Sequence, residues 1–320
     1  MSASADIAMQ TKPSEERAAD AQSLEIGIVN NMPDATLAAT ERQFKALIDH
    51  ATAGRRVRVR FFALPGITRG EGAARHIKET YSDLDELTRD KLDGLIITGC
   101  EPKAPSLADE PYWPGLTRLI DWAADHTRST IFSCLAAHAA VLHLDGISRV
   151  PVGRKYSGIF ECAVVTDDPL TRGLGPTLHI PHSRLNDLDP AALSARDYRV
   201  LSASPKVGAD IFVKRLGSLF VFLQGHPEYD SESLLREYRR DVTRFLRGER
   251  PDFPAFPENY FDASLEGRLS SFAERVADGR SRQPHRELTS LLDGLHPART
   301  WRASATGLYR NWMDGLSTRT

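Results

Sequence analysis

The sequence predicts an α/β protein built on a doubly wound, mostly parallel sheet flanked by helices. Two observations carry this prediction. Short apolar segments alternate with segments of helical periodicity through the first 145 residues, which is typical of parallel strands joined by crossover helices. The 320-residue chain is 41% hydrophobic and 26% charged, the composition of a globular protein with an ordinary core.

The elements of this first half are distinguished by their periodicity. Leu37, Phe44, Leu47 and Ile48 recur at helical spacing, whereas charged and apolar residues alternate over 56–66 as in a half-buried strand. A loop with several glycines follows that strand. The predicted strands are 24–33 (ending in a polar loop), 56–66, 93–100 and 129–133, and the predicted helices are 36–51, 115–126 and 135–144.

The second half is richer in strands. Ser231 or Asp230 is available to cap a helix, and three prolines over 249–261 then interrupt the pattern. Trp301 and Trp312 lie in a mostly polar tail. The predicted strands are 158–165, 210–215 and 218–226, and the predicted helices are 231–246 and 264–279.

Three regions follow from this pattern. We expect a flexible N-terminal tail over 1–22, which is small and polar, and a catalytic α/β domain over 23–250. The remainder, 251–320, is expected to be a C-terminal extension that packs on that domain.

The charge balance excludes some partners. With 41 Lys and Arg against 43 Asp and Glu, the net charge is −2, so no overall field attracts nucleic acid or an anionic membrane. A local basic patch for an anionic cofactor is compatible with this balance. No apolar run reaches the roughly 18–20 residues that span a bilayer, and residues 1–22 lack the apolar segment of a secretory signal. A cytoplasmic protein is therefore expected.

Cys134 stands between a predicted strand and a predicted helix, in 129-STIFSCLAAHAAV-141. Free cysteine is often a buried packing residue, which is the alternative to a catalytic role. At the carboxyl end of a parallel strand, however, the side chain can project from a sharp turn into the ligand crevice, and the helix N-terminus favours the thiolate. Cys100 could line the same crevice, whereas Cys162 lies within a strand and is expected to pack. The odd number of cysteines gives no disulfide framework.

His226 closes another apolar strand, in 223-LQGHPEYD-230, and Glu228 follows two residues later. In an extended segment these two side chains share a face, so the carboxylate can orient the imidazole. A surface ion pair is the alternative. The position of both His226 and Cys134 at strand ends favours a Cys134–His226–Glu228 catalytic triad.

No metal site or bound cofactor is expected. His179 and His182 lie three residues apart with Pro181 between them, and no cysteine or carboxylate near them in sequence completes a set with ligand spacing.

The motifs resemble those of the homoserine O-acyltransferases (homoserine O-succinyltransferase or O-acetyltransferase), which have a class I glutamine amidotransferase-like, flavodoxin-like fold. The resemblance extends from about residue 24 to residue 312. It rests on 94-GLIITG-99, 111-PYWP-114, 131-IFSCLAAHAA-140, 155-KYSGIFE-161, 181-PHSRLND-187, 225-GHPEYDSESLLREYRRDV-242 and 301-WRASATGLYRNW-312.

The resemblance implies a ping-pong acyl transfer in methionine biosynthesis. Cys134 would take the acyl group from acyl-CoA, the co-substrate, and His226 oriented by Glu228 would activate the homoserine hydroxyl. Four positions match residues of the amino-acid site: Lys155, Ser183, Arg184 and Arg240, the last as the clamp of the α-carboxylate.

The sequence departs from the family at the loop after the first strand. Asp34 and Ala35 stand where the family has lysines that help form the oxyanion hole, and Leu135 replaces a bulky aromatic residue. Backbone donors near Leu135 are therefore expected to form the oxyanion hole.

A further departure concerns the acyl donor. Lys103 occupies the position at which the family has glycine for succinyl or glutamate for acetyl donors. Its charge favours succinyl over acetyl, although it also fills space and Glu101 is close enough in sequence to neutralise it.

Three functional hypotheses remain open at this point. The first is an acyl-CoA-dependent homoserine O-acyltransferase, with serine or another hydroxy amino acid as a possible acceptor. The second is a cysteine amidase or glutamine amidotransferase-like hydrolase, and the third is a binding module that kept the fold. The ordered set of motifs favours the first. A homodimer is the general expectation for such an enzyme.

Overall fold

A nine-stranded mixed sheet organises the part of the chain that the computed structural model describes, residues 23–89, 91–295, 297 and 299–317. The predicted tail over 1–22 lies outside these residues. The strands are β1 (Leu24–Val29), β2 (Val57–Phe62), β3 (Gly94–Thr98), β4 (Ser129–Ser133), β5 (Val150–Val164), β6 (Thr177–Asp187), β7 (Arg199–Ser204), β8 (Gly208–Arg215) and β9 (Leu219–Leu223).

The described helices pack on the two faces of this sheet and at one end of it. They are α1 (Asp34–Ala51), α2 (Glu71–Thr80), α3 (Leu84–Arg89), α4 (Trp113–His126), α5 (Leu135–Asp145), α6 (Pro190–Ser194), α7 (Ser233–Leu246), α8 (Ala263–Ala277), α9 (Pro284–Leu292) and α10 (Arg302–Ser317). The predicted α/β class, with a sheet flanked by helices, is confirmed, and its parallel strands form one half of the sheet.

The order of the strands explains where a site can form. The sheet runs β2-β1-β3-β4-β9-β8-β7-β5-β6, and the first five strands are parallel. The apolar side chains of β1, β3 and β4 and most of those of β9 are buried, as parallel strands covered by helices require, whereas the edge strand β2 is only partly buried. The carboxyl ends of β3, β4 and β9 meet side by side, because Thr98 pairs with Ser133 and Ser133 pairs with Leu223.

The antiparallel half is more extensive than the sequence predicted. β5 begins at Val150 rather than at residue 158, and β6 and β7 were not predicted. The reason lies in their composition. β6 buries His182 and Arg184, and β7 buries Ser202, so polar side chains occupy interior positions and the apolar alternation disappears.

The glycine-containing loop after β2 was also predicted incompletely, because it contains α2 and α3. None of the described residues of α2 is buried, so this helix carries no apolar stripe that a sequence pattern could reveal.

The helix α7 begins at Ser233, two residues later than predicted. Asp230 accepts hydrogen bonds from the Glu232 N–H at 3.0 Å and from the Ser233 hydroxyl at 2.8 Å, so it supports the turn before the helix, and Ser231 does not cap it.

The C-terminal residues are not a polar tail. Trp301 and Trp312 are 1% and 2% exposed, and Trp312 lies within α10. The Trp312 indole N–H donates to the Ser129 hydroxyl at 2.9 Å, and the Trp301 indole N–H donates to the Tyr229 carbonyl at 3.1 Å. The division into an α/β domain over 23–250 and an extension over 251–320 stays a prediction.

None of the helices in the described ranges combines the length and the apolar character that crossing a membrane requires.

Gly94 provides a test of how α10 is held. A Cβ atom at this position would lie 2.7 Å from Leu316 Cδ1 and 2.8 Å from the buried Trp312 ring. Since the indole is fixed by its bond to Ser129, we expect Gly94→Ala to lower the free energy of unfolding by about 1–3 kcal/mol, measured by urea denaturation.

Gly267→Ala in α8 is the matched control, because nothing lies within 4 Å of its added Cβ. It should leave stability unchanged or raise it by up to about 1 kcal/mol. An equal loss in both variants would contradict the packing of α10 described above.

Candidate active site

The turn between β4 and α5 holds Cys134 in a strained conformation. Its φ of 51° and ψ of −109° are unusual for a residue with a side chain, and such strain persists only where the surroundings enforce it. The Cys134 N–H donates to the Leu223 carbonyl at 2.7 Å, which extends the pairing of β4 with β9 by one residue. The half-buried thiol therefore stands at the junction of the two strands.

Backbone from β3 closes over the same turn. A Cβ atom on Gly99 would lie 2.5 Å from the Leu135 Cβ and 3.2 Å from the Ala136 nitrogen, so only glycine permits this approach. The N–H of Leu135 belongs to the first turn of α5, where backbone donors have no acceptor within the helix. The predicted oxyanion donor thus lies next to the thiol and points out of a helix N-terminus.

The loop after β1 is fixed against the end of β3. The Asn31 N–H donates to the Thr98 hydroxyl at 2.8 Å, and the Asn31 side chain donates to the Thr98 carbonyl at 3.0 Å. Asp34, which replaces a family lysine, forms an ion pair with Arg69 at 3.1 Å and accepts the Gly70 N–H at 2.8 Å. The Gly70 bond and the Arg69 charge outweigh burial and hold the pKa of Asp34 below its ordinary value.

His226 lies on the Cys134 side of β9. Its Nδ1–H donates to Glu228 Oε1 at 2.8 Å, its backbone N–H donates to the Pro181 carbonyl at 2.7 Å, and the Cys134 side chain is close enough to affect the pKa of its ring. Its ring is stacked on Tyr229, with the centroids 4.3 Å apart. Both His226 and Glu228 are buried. The three residues predicted as a triad are therefore brought together in the order thiol, imidazole, carboxylate.

Charge within this group determines the state of the imidazole. Burial alone would lower the pKa of His226, but the charges of Cys134 and Glu228 and their hydrogen bonds raise it well above the ordinary value. This balance favours the protonated imidazole of His226.

A second polar group adjoins the triad through Tyr229, and Glu237 lies at its centre. The Tyr229 hydroxyl donates to Glu237 Oε1 at 2.6 Å, and the Ser183 hydroxyl donates to Glu237 Oε2. Lys155 Nζ lies 3.4 Å from Glu237 and 2.9 Å from Asp241. Burial tends to raise the pKa of Glu237, but the Lys155 charge and the two hydroxyl bonds outweigh it and hold the pKa below the ordinary value.

Arg240 joins this group by its ion pair with Asp241, at 3.0 Å. The structure thus brings together three of the predicted binding residues, Lys155, Ser183 and Arg240. Sequence reasoning missed Glu237, Asp241 and Tyr229. A signal was present: Asp241 falls at helical spacing on the buried face of α7, and a buried carboxylate requires a charged partner.

Two predicted site residues lie apart from these groups. Arg184 is adjacent to Ser183 in a strand, so it faces the opposite side of the sheet. Its guanidinium donates to the carbonyls of Asn186 and Val207 and stacks on Tyr156, 4.9 Å from the ring centroid. Lys103 is exposed, and its backbone N–H donates to Glu110.

His182 is accompanied by a cysteine and a carboxylate, contrary to the expectation from sequence spacing. Within the described residues, ligand atoms of Cys162, His182 and Asp210 lie within 4.8 Å of one another. All three are buried, and burial together with the Asp210 charge raises the pKa of the Cys162 thiol. His182 Nε2 lies 3.2 Å from Asp210 Oδ1, and a Cβ at Gly225 would lie 3.0 Å from both atoms.

A buried bridge connects the two strand ends that carry the triad. His138 in α5, four residues after Cys134, donates from Nε2 to the Gln224 side-chain carbonyl at 2.8 Å. Gln224 in turn donates to the Ala209 carbonyl at 2.7 Å and to Asp187 at 3.1 Å. Burial lowers the pKa of His138 to about 4, so the imidazole stays neutral near pH 7.

Comparisons with known proteins identify relatives of the whole chain. A family model described as homoserine O-succinyltransferase matches residues 3–319. A homoserine O-succinyltransferase from Rhodopseudomonas palustris is 47% identical over 95% of this chain and 91% of its own length. One from Methylorubrum extorquens is 48% identical over 92% of this chain and 88% of its own length. A solved glutamine amidotransferase from Thermotoga maritima is 12% identical over 92% of this chain and 99% of that chain, with a TM-score of 0.49.

The bridge between His138 and Gln224 predicts a pH dependence of stability. Because the folded pKa of His138 is about 4, the unfolded chain binds a proton more readily between pH 4 and about 6.5. Stability should therefore fall as the pH drops through this range, by up to about 1.4 kcal/mol per pH unit, and His138→Gln should reduce this slope. His182, whose pKa burial also lowers, should supply what remains of it.

Urea denaturation between pH 4.5 and 7 measures this slope. His285→Gln, at an exposed position in α9, is the matched control and should behave as the wild type. An unchanged slope in His138→Gln would rule out His138 as the titrating group.

Proposed function

The chain belongs to the homoserine O-succinyltransferase family, and we propose that it transfers the acyl group through a thioester on Cys134. It is an acyltransferase that acts on homoserine in methionine biosynthesis, with succinyl favoured as the acyl group. The observation that carries the mechanism is the placement of Cys134 beside His226 at the ends of β4 and β9, with the His226 imidazole held by Glu228.

In the first half-reaction, the Cys134 thiolate attacks the thioester carbonyl of succinyl-CoA. The bond between the carbonyl carbon and the coenzyme A sulfur breaks, and the departing thiolate takes a proton from His226. The Leu135 N–H, at the start of α5, is suited to stabilise the oxyanion of the tetrahedral intermediate. Asp34 is negatively charged, so it cannot stabilise an oxyanion as the lysines implied by the family resemblance would. We therefore assign oxyanion stabilisation to backbone donors.

In the second half-reaction, neutral His226 takes the proton from the homoserine hydroxyl. The hydroxyl oxygen then attacks the acyl carbon on Cys134, and the Cys134 thiolate is released. Glu228 holds the imidazole in the tautomer that presents its Nε2 to the reaction, because its carboxylate binds Nδ1–H.

The group around Glu237 is suited to bind the amino-acid end of homoserine. The Glu237 carboxylate matches an α-ammonium group, and the Arg240 guanidinium matches an α-carboxylate. Lys155 and Ser183 hold Glu237 in place, so we assign them positioning roles at this site. Arg184 is used by backbone carbonyls on the other face of the sheet, so we do not assign it to the substrate.

The choice of succinyl over acetyl is supported by two cations on the crevice side of β3. Arg69 and Lys103 both tend to lower the pKa of Cys100, which lies just after β3. Burial nevertheless keeps that pKa above its ordinary value. We propose that Lys103 attracts the free carboxylate of a succinyl group.

Three further properties belong to this proposal. The reaction we describe needs no cofactor besides acyl-CoA as co-substrate. We propose a cytoplasmic enzyme, because its substrates are intermediates of amino-acid biosynthesis, and a homodimer, the commonest oligomer of soluble enzymes.

Intact-protein mass spectrometry after mixing with succinyl-CoA, without homoserine, tests the mechanism. The wild type should gain the mass of one succinyl group, and Cys134→Ala should gain none because the nucleophile is absent. Cys100→Ala is the matched control, since Cys100 is also a half-buried free cysteine beside the crevice. An adduct that persists in Cys134→Ala, or disappears in Cys100→Ala, would contradict the assignment.

Glu237→Gln separates homoserine binding from acylation. The substitution removes the negative charge but keeps the size, so kcat/KM for homoserine should fall about 10- to 100-fold, mostly through KM. Succinylation of Cys134 should proceed as in the wild type. Glu274→Gln, at an exposed position in α8, should change neither quantity. Slower succinylation in Glu237→Gln would place Glu237 in the acylation step instead.

A further inference from the structure

The exposed face of α7 is a stripe of arginines. Arg236, Arg240, Arg244 and Arg247 are exposed and follow one another at spacings of three or four residues, which places them on one side of the helix. Together with Arg239 and Thr243 they line a groove whose other lining residue is Glu249. We call these five arginines the arginine stripe.

The charges of α7 are divided between its two faces. Glu237 and Asp241 contact Lys155 and Ser183, and Arg240 pairs with Asp241, whereas Arg236, Arg244 and Arg247 are exposed on the outer side. The whole chain carries a net charge of −2, so the stripe is a local concentration of positive charge in a nearly neutral protein. Such a concentration attracts a multiply charged anion more strongly than the net charge would suggest.

The two ends of the stripe differ in their ion pairs. Arg236 and Arg239 lie 2.7 Å from Asp230 and Asp293, within hydrogen-bond distance. In the ion pairs of Arg244 with Glu101 and of Arg247 with Glu249, the nitrogen and oxygen atoms are 3.9 Å apart. At that length the guanidinium groups are attracted by the carboxylates but do not donate to them, so their donors can turn to a ligand.

We propose that the distal part of the stripe, Arg244 and Arg247, binds the phosphate groups of coenzyme A. Guanidinium groups bind phosphate oxygens in a bidentate manner, and a row of them fits a ligand with several phosphates. This inference rests on the proposed function, because it supplies the binding site for the co-substrate of that reaction.

The length of α7 agrees with the length of coenzyme A. From Glu237, beside the triad, to Arg247 the helix advances about 15 Å at 1.5 Å per residue. About thirteen covalent bonds separate the thioester sulfur from the pyrophosphate, and an extended chain covers roughly 15 Å over that number of bonds. The phosphates can therefore contact the stripe while the thioester reaches Cys134.

Two acyl donors test this site. Succinyl-CoA carries the phosphates, and the succinyl thioester of N-acetylcysteamine has the same reactive group without them. In the double variant Arg244→Gln/Arg247→Gln, KM for succinyl-CoA should rise about 10- to 100-fold with kcat nearly unchanged. The kcat/KM for the truncated thioester should stay at the wild-type value. Added NaCl should raise KM for succinyl-CoA only, because exposed charges are screened.

Arg268→Gln/Arg282→Gln is the matched control, because it removes the same charge from exposed positions elsewhere. It should leave both donors unaffected. An unchanged KM for succinyl-CoA in the stripe variant would overturn the proposal, and so would an equal loss with both donors, which would indicate damage to the site itself.

Calorimetry with coenzyme A separates this inference from the proposed function. If the wild type transfers succinyl from neither donor, the proposed function fails. Binding of coenzyme A that is lost in the stripe variant and kept in the control would still support the phosphate site. Equal binding by the two variants, or no binding by the wild type, would overturn it.

Discussion

The pairing of β4 with β9 is the constraint on which the rest of the site depends. It continues one residue beyond the strands through the bond from the Cys134 N–H to the Leu223 carbonyl, 2.7 Å long. This bond holds Cys134 at a positive φ that an unsupported residue would avoid. The same junction determines where the chain leaves β9 towards His226, so the backbone sets the distance between the proposed nucleophile and the proposed base. The hydrogen bond between His138 and Gln224 also joins α5 to the end of β9.

Burial of charge is the second feature that shapes this protein. His226, Glu228 and Asp241 are buried, which is unfavourable for charged groups unless they have partners. Each has one within 3.0 Å: the imidazole and the carboxylate have each other, and Asp241 has Lys155 and Arg240. One oxygen of Glu228 is buried without a hydrogen-bond partner among the described residues. Incomplete satisfaction of this kind is tolerated where charge is needed for chemistry.

The sequence was informative where local pattern and local chemistry coincide. Cys134 and His226 each follow an apolar strand, and that position was enough to place them on one edge of the sheet. It failed where distant segments supply the environment. Trp312 looked exposed because its partner Ser129 lies 183 residues away, and His182 seemed isolated because Cys162 and Asp210 come from other strands. Glu237 was missed for the same reason: its partners Tyr229, Ser183 and Lys155 lie on three separate segments.

The helix α7 joins these features, because one element presents a different chemistry on each face. In the function proposed above, Glu237 and Arg240 serve the amino acid, and Arg244 and Arg247 on the outer side serve the phosphates of coenzyme A. A helix can do this because residues three or four apart share a face, so a sequence as compact as 236-REYRRDVTR-244 can alternate between two ligands. In a ping-pong reaction both substrates react at the same thiol in turn: the first transfers its acyl group to the sulfur, and the second removes it. Binding them through adjacent sides of one helix would keep both within reach of Cys134, and would let coenzyme A leave along the surface while the succinyl group stays on the sulfur.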